Sequence, residues 1–165
     1  MSWQLWETEM GALTGKQHIS REQYSQVISS AYHNCILRHF DSLTGGGKVF
    51  GLDAKLQPLY EGVLQICNSN LGGHNPVNFV QQLQVLILQY WTGVWVMGPT
   101  GVVALTSPGS FTSPYVGPNL DFRIILKVYG GCFRAHLATL TGMYTSTVVP
   151  GLVTPWSGGF LQTIG

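Results

Sequence analysis

The sequence predicts a mainly α fold, with about four helices in a bundle-like arrangement, a small β-hairpin and extended apolar N- and C-terminal arms. Three observations lead there. Apolar residues recur at helical spacing in four segments. Glycine clusters punctuate those segments, and both ends are apolar without a clean period.

Taken in order, residues 1–19 scatter Trp3, Leu5, Trp6, Met10 and Leu13 among polar residues and glycines and read as an arm. At Ser20 the pattern sharpens. Ser20 with Gln23 three residues later fits a capping box, each side chain satisfying the other residue's backbone N–H. Tyr24, Val27, Ile28, Ala31 and Cys35 then share a stripe, giving a helix over 20–42 that Gly45-Gly46-Gly47 ends. A second helix over 56–70 carries Leu59, Val63, Leu64, Ile66 and Cys67, with Pro58 tolerable in its first turn. Asn75-Pro76 is a cap followed by a first-turn proline. The third helix it opens has a wide apolar face that includes Phe79, Leu83, Ile87, Tyr90 and Trp91, as expected of a central or interfacial helix.

Val94–Met97 and Val102–Leu105 flank Gly98-Pro99-Thr100-Gly101 and predict a hairpin at 94–106. A Ser/Pro/Gly loop leads to a fourth helix over 119–144. The tail, 146–165, is broken by proline and glycine yet apolar, which suits an arm lying in a groove. The domain reading is therefore an arm at 1–19, a helical domain at 20–145 with the hairpin inserted, and an arm at 146–165.

Charge narrows the function. Charged residues make up 9% of the chain, against about 25% in an average soluble protein. Residues 62–120 and 135–165 carry no formal charge at all. Such stretches must be covered by a core, by lipid or by neighbours. Val85–Leu105 has the length of a membrane span, but Gln89, Gly93, Gly98, Pro99 and Gly101 interrupt it and Trp91 and Trp95 sit near its middle, away from the interfaces that aromatic residues favour. The opening MSWQLWETEM has acids where a signal peptide has a basic region, so no targeting signal is expected.

Chemistry is sparse. No GxSxG, HExxH, P-loop or helix-opening GxGxxG occurs, and the seven acids are scattered, which points away from an enzyme and from a small-molecule substrate. Tyr32–Gly45 matches Tyr129–Gly142 at six of fourteen positions, at an offset of 97, suggesting two helix ends with equivalent packing roles. The echo also creates the pairs Cys35/His39 and Cys132/His136, each one helical turn apart and able in principle to share zinc. The cysteines fall on apolar faces, where free Cys behaves as a small hydrophobe. No metal and no cofactor is expected. His18, His33 and His74 read as surface or hydrogen-bonding residues.

One stripe stands out. Arg123, Lys127 and Arg134 project within roughly 40° of one another on a helix, flanked by Gly130, Gly131, Ala138, Thr141 and Thr145. Arg123, Lys127, Arg134 and Thr141 are thus the candidate contacts to a phosphate backbone, neutralising or hydrogen-bonding it without reading base sequence; a solvated helix face is the plainer alternative. Trp3, Trp6, Trp91, Trp95, Trp156 and Phe160 are the candidate interface anchors.

Low charge, apolar arms and wide-faced helices describe a subunit surrounded by copies of itself or by a sister protein, and a virion is the expected location. In the helix-Gly-helix run of 20–91, including Leu88-Gln-Tyr-Trp-Thr-Gly93, in the basic stripe and in the arms, the chain resembles the major coat proteins of filamentous archaeal DNA viruses. That resemblance implies a small helical protein that wraps double-stranded DNA and clasps its neighbours with its ends. A formal charge of +1 and the hairpin depart from the pattern; a sister subunit would supply the missing charge. The alternatives are a minor or cementing capsid protein without nucleic-acid contact, and a membrane-associated protein.

Overall fold

The computed structural model describes residues 2–14, 20–44, 52–69, 76–97, 100–111 and 122–157. The capping box forms as the sequence predicts. The Gln23 N–H donates to Ser20 Oγ at 3.2 Å, and the Ser20 N–H to Gln23 Oε1 at 3.3 Å. It opens α2, Arg21–Thr44. A 3-10 turn at Asp53–Lys55 leads into α3, Leu56–Ser69, with Pro58 in the first turn, and α4 spans Pro76–Tyr90.

At the N-terminus the expected arm is a helix, α1, Ser2–Thr14. Its turns place Trp6 and Met10 on one face, and both are buried against the rest of the chain. Four apolar residues at 3, 6, 10 and 13 are the helical stripe that the intervening glycine and glutamate obscure.

The fold-class expectation fails more widely at the other end. Among the described residues the architecture is five α-helices with a four-stranded antiparallel sheet of order β1-β2-β3-β4, not a helical bundle with one hairpin. β1 (Trp95–Met97) and β2 (Gly101–Ser107) are the predicted hairpin, in register Trp95↔Ala104. The fourth predicted helix, however, stops early: α5 spans Phe122–Ala138. Thr139 bonds back to the His136 carbonyl through its hydroxyl at 2.7 Å and accepts the Ser110 N–H at 2.9 Å, tying the helix end to the loop after β2. The chain then runs as β3 (Thr141–Ser146), turns at Pro150-Gly151, and returns as β4 (Val153–Ser157). Gly151 takes a φ of +77°, which few other residues adopt without cost. Gly142 answers a different need, because a Cβ there would meet the Ala104 carbonyl oxygen at 2.5 Å. What the sequence offers as a C-terminal arm is, as far as Ser157, the sheet's edge strand; residues 158–165 lie outside the described part.

In the helical layer, α1 packs on α2 and α5, and α3 packs on α2 and α4. Phe133 of α5 sits among four rings: Trp6 and Tyr32 at 5.0 Å, Tyr129 at 5.7 Å and Phe111 at 5.8 Å. The sheet joins this core through Leu105 and Trp156, which pack on its margin. Truncating Phe133 removes the ring all four share. Phe133→Ala is expected to lower the unfolding free energy by about 3–5 kcal/mol and Phe133→Leu by clearly less, as read by urea denaturation. Ser20→Ala, which removes half the capping box, should cost about 1 kcal/mol in the same assay.

Candidate functional site

Three of the six candidate anchors are accounted for within the chain. Trp6 and Trp91 are 2% and 0% exposed, so they spend their surface in the chain's own core and have none left for a partner. Trp156 is half-buried, turned toward that core. Trp95 is 40% exposed. Trp3 lies on α1, but its side chain and the whole of Phe160 fall outside the described residues.

Trp91 is held by a polar contact as well as by packing. Its Nε1–H donates to the Tyr32 hydroxyl at 2.8 Å, and beside it the Tyr90 hydroxyl lies 2.7 Å from His33 Nδ1. Each buried polar tip therefore has a partner, which removes the desolvation penalty that an unpaired one would carry. His33 is thus a hydrogen-bonding residue, though a buried one. His18 and His74 fall outside the described residues.

The metal hypothesis finds no assembled ligand set: among the described residues no three His, Cys, Asp or Glu side chains gather around a point. His136 Nε2 is 2.8 Å from the Pro108 carbonyl oxygen, which can only accept, so the ring carries its proton on Nε2 and bare Nδ1 has no partner among the described residues. Burial pushes the Cys35 thiol up to about 12 and raises Cys67 and Cys132 as well, so none of the three is poised as a thiolate at neutral pH. The His39 side chain lies outside the described residues.

The basic stripe is shortened. Arg123, Lys127 and Arg134 all lie on α5 in shared helical register, and Arg134 is exposed. Thr141 and Thr145 leave that row, because α5 ends at Ala138 and both belong to β3. A 3.6-residue period extended past the helix end placed them there.

Both threonines instead join a surface that helical reasoning missed. Residues opposite one another in an antiparallel ladder share a face. The register aligns Trp95, Ala104, Met143 and Pro155 in one row, and Met97, Val102, Thr145 and Val153 in the next. This face points away from the helices, with Met97, Met143 and Val153 at 37%, 38% and 52% exposure beside Trp95. The alternate row of Leu105, Gly142 and Trp156 turns inward. None of the four described strands contains a charged residue. The aromatic and β-branched run Tyr144-Thr-Ser-Thr-Val-Val149 and the Pro150-Gly151 turn that follows it were the signals for strand structure there.

The possible span Val85–Leu105 is divided: α4 ends at Tyr90, Gly93 turns the chain at a φ of +72°, and β1 and β2 follow. Among the described residues no helix is long and apolar enough to cross a membrane.

Two buried histidines set a pH dependence. Burial lowers His33, partly offset by the Asp53 carboxylate, and lowers His136, partly offset by its bond to Pro108. The unfolded chain, with histidines near 6.5, then binds more protons than the native state just below that pH. Stability therefore falls as pH drops below about 6.5, and this contribution levels off once the native values are passed. Thermal melts from about pH 7.5 to about pH 5 should show a falling Tm, and the fall should be smaller in a His33→Gln/His136→Gln variant. Set against known proteins, the chain matches no protein-family model, no curated protein and no solved structure.

Proposed function

We propose that the chain is a non-enzymatic structural protein of a virion, a coat or capsid subunit that associates with copies of itself or with a sister protein. The observation that carries this reading is the uncharged outer face of the sheet, where large apolar side chains stand in water although the chain has a complete core of its own. Contiguous apolar surface of this kind marks interaction sites in folded proteins. The charge distribution points the same way: among the described residues every charged one lies on a helix, and the sheet is made wholly from the two uncharged stretches.

A finer reading, drawn from the coat-protein resemblance, is that the subunit wraps double-stranded DNA through Arg123, Lys127 and Arg134. The shared register on α5 and the exposure of Arg134 support it. The sheet favours the second reading, a minor or cementing capsid protein that touches only protein, because an apolar face this size is a protein-binding feature and is a larger departure from an all-helical coat than a hairpin.

Salt separates the two. Three phosphate contacts predict that log affinity for duplex DNA falls against log salt with a slope of about −2.7, and Arg134→Ala should reduce that slope by about one. A cementing protein shows no such slope. Negative-stain electron microscopy supplies the companion measurement: filaments that appear only with DNA and protect it from nuclease support the coat, whereas lattices of protein alone support the cement.

A further inference from the structure

The hydrogen-bond phase of the sheet decides how a neighbour can approach it. The Ser146 N–H donates to the Leu152 carbonyl at 3.0 Å, so this opposed pair is of the hydrogen-bonded type. Pair types alternate along an antiparallel ladder. Stepping along the register through Thr145↔Val153 and Tyr144↔Thr154 makes Met143↔Pro155 a non-hydrogen-bonded pair. The backbone nitrogen of residue 155 therefore points to the outer edge of β4, where proline has no hydrogen to give a further strand. At the opposite edge β1 is three residues long. Short edges and edge prolines are the devices that stop sheets from adding strands. Among the described residues the edges resist extension and the face is uncovered.

From this we infer that the outer face of the sheet packs against the same face of a second copy, sheet on sheet, with the strands of the two copies nearly aligned. The inference rests on the self-association reading and names its surface. Three properties select a second copy as the occupant. The face carries no charge, so it meets an identical face without like-charge repulsion, which no charged surface can do unless its signs alternate. Its exposed members Trp95, Met97, Met143 and Val153 supply the large apolar side chains that the core of such a contact needs. Finally, each row mixes larger and smaller residues. A two-fold axis parallel to the strands lays β1 of one copy over β4 of the other, setting Trp95 and Met97 over the smaller Val153 and Pro155 and keeping the gap between sheets even.

The test is sedimentation velocity of the full chain without nucleic acid or detergent, across a concentration series, for wild type, Met143→Asp, Val153→Asp and the control Asn34→Asp. Asn34 is exposed on α2, so the control adds the same charge elsewhere. Circular dichroism melts establish that each variant is folded. Association of wild type and Asn34→Asp, with the apparent dissociation constant weakened at least tenfold in both Asp variants of the face, is the expected result. Unchanged association in both folded face variants overturns the face as the contact while leaving self-association intact. A wild-type chain that stays monomeric at every concentration overturns the self-association reading itself, and flotation with zwitterionic phosphatidylcholine vesicles that Met143→Asp abolishes assigns the face to lipid.

Discussion

Phe133 stands where α1, α2, α5 and the loop after β2 meet, with its ring against Trp6, Tyr32, Tyr129 and Phe111. Most of these contacts are edge-to-face, the arrangement in which the positive rim of one ring meets the negative face of the next. This cluster is what turns a chain poor in charge into a single body. It draws the N-terminal helix inward by Trp6, fixes α5 against α2, and through Phe111 holds the loop by which the chain leaves β2. With α5 fixed, β3 has only Thr139 and Leu140 in which to start beside β2.

The polar groups inside this core are arranged to cost little. Trp91 and Tyr90 present one N–H and one hydroxyl to the interior, and Tyr32 and His33, adjacent on α2, meet them. The same economy is incomplete at α5, where His136 Nδ1 and the Tyr129 hydroxyl are buried without a partner among the described residues. Each carries a desolvation penalty of about 1–3 kcal/mol, tolerated where surrounding ring packing is dense. Tyr32 and Tyr129, which open the echoed segments, both pack on Phe133, but the segments end differently: Thr44 closes α2, whereas Thr141 begins β3.

Charge and function divide between the two layers. The helices carry every charged residue among those described, and they can face water. The sheet has one face turned to the core and the other uncovered, with no lysine or glutamate to make it agreeable to solvent. A protein built this way is stable as a fold while leaving one surface unfinished, which is the physical content of the proposal that it is an assembly subunit.

What the sequence determined by itself was local. The capping box at Ser20, the helices read over 20–42, over 56–70 and from Asn75-Pro76, and the first hairpin follow from short-range periodicity, caps and turns, and each has its counterpart in the structure within a residue or two. The low charge content likewise showed, without any coordinates, that much of the chain needs cover. The helical stripe of 3, 6, 10 and 13 was legible but is interrupted by polar residues, so only burial of Trp6 and Met10 reveals its inner face. The end of α5 was not legible, because Leu140–Tyr144 fits a helix continuing from Phe133 as well as a strand. Tertiary structure decided it: β2 offers a row of backbone partners beside residues 141–146, and only glycine at 142 allows the approach. Pairing between distant segments is a non-local energy, and no window of sequence contains both partners; which residues form the outer face, and that Trp91 lies inside while Trp95 lies outside, were settled there.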